Sequence, residues 1–75
     1  MDGTLKYLTS AELLARGSTL HEAGDFLSAE ADYMQILQDQ PNHPEANHNL
    51  AILLSLQGNL EGALDHLKIC LNANP

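Results

Sequence analysis

Residues 24–41 read GDFLSAEADYMQILQDQP, and residues 58–75 read GNLEGALDHLKICLNANP. Each stretch opens on Gly and a short polar residue. A large apolar residue follows, then Ala, then apolar residues at helical spacing, and each closes on Pro. At an offset of 34 residues (58 minus 24) five positions coincide: Leu20 with Leu54, Gly24 with Gly58, Ala29 with Ala63, Leu37 with Leu71, Pro41 with Pro75. Phe26 with Leu60, Tyr33 with Leu67 and Ile36 with Cys70 are similar in kind. The recurring residue types matter more than their number. A turn former, a small residue and a terminator in fixed order describe one structural unit written twice.

Outward from these stretches, each unit reads as a pair of helices. Thr9 and Glu12 form a Thr-x-x-Glu capping box, which starts a helix. Leu13, Leu14, Gly17, Leu20 and Ala23 then recur at helical spacing up to Gly24, a residue suited to a left-handed helix end. Phe26, Ala29, Tyr33, Ile36 and Leu37 form the next stripe, and Pro41 stops it. Asn42 or His43 caps the third helix, and Pro44 fits its first turn, where a missing N–H costs nothing. Leu50, Ala51, Leu53 and Leu54 lead to Gly58. Leu60, Ala63, Leu64, Leu67, Cys70 and Leu71 give the last stripe. Nothing alternates like a strand. The expectation is an all-α chain of four antiparallel helices. Ala29 and Ala63 are small enough to let paired helices cross closely. Phe26 and Leu60 are expected to fill the wedge beside each crossing.

Composition narrows the function. The 75 residues make one small domain, with 10 acids against 3 bases and a formal charge of −7. That balance disfavours nucleic acid, which needs Lys and Arg to displace counterions, and anionic membranes. It permits basic partners. The acids are scattered and read as a solvated surface. One Cys cannot form an internal disulfide and fits a reducing, cytoplasmic setting. No stretch has the length or apolarity of a signal peptide or a membrane span.

Taken together, Leu13, Gly17, Leu20, Gly24, Phe26, Ala29, Tyr33 and Pro41, then Leu50, Ala51, Leu54, Gly58, Leu60, Ala63, Leu67 and Pro75, resemble two tetratricopeptide repeats. The resemblance implies a short right-handed α-α superhelical solenoid: an extension over 1–9, a repeat over 10–43 and a second over 44–75. Arg16 stands where the family usually has Leu, and Asn47 where it has a large apolar residue. Ile36 and Cys70 replace small residues.

The family implies that first helices line a concave groove that binds peptides. Helical spacing then assigns Leu14, Ser18 and His21 to the groove from the first repeat, and His48, Asn49, Ile52 and Ser55 from the second. Ala11, Ala15, Glu22, Glu45 and Leu56 lie on the same faces. Some family members clamp a C-terminal carboxylate with Lys, Asn and Arg. Asn49 sits where one such Asn would, but Leu14 and Ser18 replace the expected Lys and Asn. A carboxylate needs charge-assisted donors, so a clamp is not expected. The stretch from Ala31 to Asn59 also resembles repeat arrays of bacterial glycosyltransferases and sulfotransferases. This implies a docking or regulatory piece of a larger enzyme as the second reading.

No chemistry of its own is expected. His43 and His48 lack the i, i+4 spacing of two ligands on one helix face, and His21 and His66 fall in no ligand pattern. There is no nucleophile elbow, no phosphate loop and no reactive-Cys context; Cys70 reads as a small packing residue. Neither metal nor cofactor is expected. The expected function is a non-enzymatic scaffold with a protein or peptide partner. Leu64, Leu67, Cys70 and Leu71 are expected to form an incompletely covered C-terminal face, open to self-association or to the rest of a longer protein. Leu5, Tyr7 and Leu8 are expected to fold over the first helix near Arg16.

Overall fold

The computed structural model describes residues 8–73. Four helices follow one another: α1 (Ser10–Glu22), α2 (Phe26–Asp39), α3 (Pro44–Leu56) and α4 (Leu60–Ala73). No strand occurs among the described residues. The helices form two antiparallel hairpins, α1 on α2 and α3 on α4. Helix α3 also packs on α2 and α1, whereas α4 packs, among the described helices, on α3 alone.

Local chemistry sets the helix ends. Thr9 caps α1, its hydroxyl accepting from Glu12 N while Glu12 Oε1 accepts from Thr9 N at 2.8 Å. Asp25 caps α2 through Ser28 N, and Asn59 Oδ1 accepts from Gly62 N at the start of α4. Of the two candidates for α3, His43 is the cap: its Nδ1 accepts from Ala46 N at 3.1 Å, and Pro44 opens the helix. The exits of α1 and α3 are the same structure. Gly24 and Gly58 have φ of +85° and +84°. Asp25 N donates to Leu20 O and Asn59 N to Leu54 O, both at 2.8 Å. Gly24 N and Gly58 N close the inner bonds to His21 O and Ser55 O. This pair of bonds around a left-handed Gly satisfies carbonyls that a helix end leaves open.

The core runs through both hairpins and comprises Leu13, Ala29, Tyr33, Ile36, Ala46, Leu50, Ala51, Leu53, Leu54 and Ala63. Ala29 and Ala63 are both buried at their hairpins. A second close approach was not anticipated from sequence. The Tyr33 ring packs against Gly17, where an added Cβ would fall 2.6 Å from Cε1 of the ring. The corresponding positions in the second hairpin are Ala51 and Leu67, a larger residue facing a smaller one.

One packing expectation needs correction. Phe26 is half-buried against the core, but Leu60 is 64% exposed and fills no wedge. Phe26 has the His21 ring edge-on at 5.5 Å and α3 beside it. The position matching His21 is Ser55, too short to reach, and no described helix lies beyond α4. Arg16 binds Asp32 on α2. Leu5 and Tyr7 lie outside the described residues, and Leu8 is exposed.

Candidate interaction groove

Between α1 and α3 lies an open concavity of about 460 Å³, lined by Ser18, His21, Glu22, Phe26, Tyr33, Asn49 and Ile52. One turn of α1 supplies Ser18, His21 and Glu22, and one turn of α3 supplies Asn49 and Ile52. Residues three or four apart share a helix face, which is why these five converge. Buried Tyr33 makes the floor, its hydroxyl 3.5 Å from Ser18 Oγ. The T-shaped His21–Phe26 pair forms one wall. No Lys or Arg lines the groove.

The structure gathers four of the seven residues expected here: Ser18, His21, Asn49 and Ile52. Leu14 packs against the core instead. Ser55 is exposed and lines no part of the concavity. His48 precedes Asn49, and a single helical step of about 100° turns it to another side. It lines a second concavity of about 480 Å³ between α3 and α4, with Pro44, Glu45, Leu67, Cys70 and Leu71. Three of the four residues expected on the C-terminal face therefore meet there, and Leu64 stands outside that lining, 56% exposed.

Polar ties brace the hairpins behind the groove. Arg16 donates from Nε to Asp32 Oδ2 and from Nη2 to Asp32 Oδ1, both at 2.8 Å. These hydrogen bonds first, and the carboxylate charge second, raise the guanidinium pKa above its ordinary value. In the second hairpin Asn47 is fully buried. Its Nδ2 donates to Pro41 O and His43 O, both at 3.0 Å, and its Oδ1 lies 2.7 Å from His66 Nδ1. Both amide hydrogens are spent on carbonyls, so the oxygen faces His66 and the ring donates from Nδ1. No buried side-chain polar atom among the described residues lacks a partner.

Sequence reasoning missed both ties. Asp32 reads from sequence as a solvated acid and His66 as a residue in no ligand pattern. The available signal was position: Asp32 follows Ala29 by three and adjoins Tyr33, on the buried side of α2.

The tetratricopeptide-repeat family model matches residues 20–75. The chain belongs to the tetratricopeptide-repeat family. The match covers the end of α1 and all of α2, α3 and α4, hence both hairpin turns. No curated protein and no solved structure matches the chain. As a tetratricopeptide-repeat chain it carries two polar departures in its first helices, Arg16 and Asn47. Each is answered by a polar residue on the second helix of the same repeat. No helix among the described residues is long and apolar enough to cross a membrane.

Proposed function

We propose that the chain is a non-enzymatic protein-interaction module that takes an extended peptide segment of a partner into the groove between α1 and α3. One observation carries this reading: residues from two separate repeats, Ser18 and His21 with Asn49 and Ile52, converge on one concavity over Tyr33 and Phe26. Asn49 is half-buried and its amide both donates and accepts, which complements a peptide unit. Ile52 and Phe26 offer apolar surface for a side chain. The absence of Lys and Arg from the lining argues against an acidic terminus as ligand. With a formal charge of −7, the module suits a neutral or basic segment. A groove of two repeats is short, so affinity rests on a few contacts. We assign this activity to the cytoplasm, where a lone thiol such as Cys70 stays reduced.

Panning a random-peptide display library against the purified chain tests the reading. Binding of a selected peptide, followed by fluorescence anisotropy, is expected to weaken in Asn49→Ala and Ile52→Ala. It is expected to persist in Leu27→Ala, which alters a side chain 78% exposed and outside the groove. Parental binding by both groove variants would sink the proposal.

A further inference from the structure

The internal repeat allows the last described helix, α4, to be compared with its counterpart α2. In the interior, α3 covers α2, and Glu30 and Leu37 are half-buried. The matching residues on α4 are Leu64 and Leu71, which are 56% and 70% exposed. The face of α4 that no described helix covers is thus more apolar than the covered face of α2: Leu64 replaces Glu30. A face meant for water would differ in the opposite sense. The other end does differ in that sense. Ala46 and Leu53 of α3 are fully buried, and their counterparts on α1 are Glu12 and Thr19, both exposed. One end of the described stack is polar and the other apolar. Head-to-tail stacking of copies would set Glu12 and Thr19 against the leucines, so it is disfavoured.

The leucines of α4 are also in register. Leu60, Leu64, Leu67 and Leu71 are separated by 4, 3 and 4 residues. This is the seam spacing at which two helices interlock side chains. Leu67 anchors the stripe to the core, and the other three project outward.

We propose that the chain forms a two-fold dimer through α4, with α4 antiparallel to α4 of a second copy. Leu60 then lies opposite Leu71 of the second copy, and Leu64 opposite Leu67. Charge fixes the orientation. Glu61 and Lys68 flank the seam on one side, each following a leucine directly. Antiparallel packing brings Glu61 of one copy near Lys68 of the other, and the two-fold axis repeats the pair. Parallel packing sets that flank against Ala63 and Cys70 and leaves both charges unpaired. The face is separate from the peptide groove, so the dimer stands whether or not the groove reading holds.

Sedimentation velocity over a concentration series reaching the millimolar range, at physiological ionic strength, tests it. The expected result is a mass that rises to twice the monomer value and no further. Leu64→Glu is expected to hold the chain as monomer with its helical circular dichroism intact, because the side chain is already half in water. Glu61→Lys and Lys68→Glu each shift the dimerisation midpoint to higher concentration, and the double exchange restores it. A parental chain that stays monomeric throughout would overturn the proposal. So would a mass growing without limit, a dimer indifferent to Leu64→Glu, or a double exchange that restores nothing.

Discussion

Arg16 clasps Asp32 side-on across the first hairpin, with two donors on two carboxylate oxygens at 2.8 Å each, and the two ends of the clasp differ in exposure. The arginine side chain is 57% exposed and the aspartate side chain 7%. Removing the aspartate frees the arginine into water. Removing the arginine strands a buried carboxylate. Arg16→Ala should therefore be the more destabilising change, and the double variant should cost less than the sum of the two. Urea unfolding of the four proteins in the cycle measures both. The raised guanidinium binds its proton more tightly when folded, so its stabilisation is complete below the ordinary arginine value and is lost only as pH rises through the higher folded one. Stability should consequently show no arginine-linked change through the neutral range.

Asn47 and His66 make a second clasp with a readable proton. Nitrogen chemical shifts of the His66 ring should show Nδ1 protonated in the neutral form, the minority tautomer of a free histidine. Asn47→Ala leaves the Pro41 carbonyl and the His66 ring without their partner, while His43 O keeps the backbone N–H of residue 47, and should cost about 1–3 kcal/mol in chemical unfolding.

Gly17 carries Tyr33 where a Cβ would stand 2.6 Å from the ring. Gly17→Ala should destabilise by roughly 1–3 kcal/mol. The second hairpin manages the same place with Ala51 and Leu67. Gly17→Ala should accordingly cost less in a Tyr33→Leu background, and thermal melts of the single and double variants decide it.

Ala29 and Ala63 occupy buried crossings. Replacing either with Leu should overpack its crossing by roughly 1–3 kcal/mol. A melting curve equal to that of the parent for both variants would refute the crossing assignment.

Gly24 and Gly58 share one backbone geometry, with φ of +85° and +84° and open space where a side chain would go. Only the backbone penalty then applies. Gly24→Ala and Gly58→Ala should each cost roughly 1–2 kcal/mol and should match one another. Denaturant midpoints of the pair test the equality.

Much of the fold was legible because its rules are local. Thr9, Gly24, Pro44 and Gly58 act on their own backbone or that of near neighbours, so spacing along the chain is enough to read them. The apolar stripes followed for the same reason. The clasps were not legible, since Arg16 finds Asp32 and Asn47 finds His66 only after two helices have packed. Leu60 was misread by assuming that matching positions have matching neighbours; the first repeat has α3 beside it, and the second has no described helix there. In the groove, helical spacing brings Ser18, His21, Asn49 and Ile52 to one concavity, while Leu14 packs on the core, Ser55 is exposed and His48, one helical step from Asn49, lines the concavity beside α4.

The amide of Asn47 holds the carbonyls of Pro41 and His43, and so grips the connection between the two repeats while its oxygen is held from α4. A connection gripped in this way has less freedom to act as a hinge, which stiffens the placement of α1 from one repeat against α3 from the other. For the peptide receptor proposed above, stiffness would substitute for length, because less motion is left to be lost on docking.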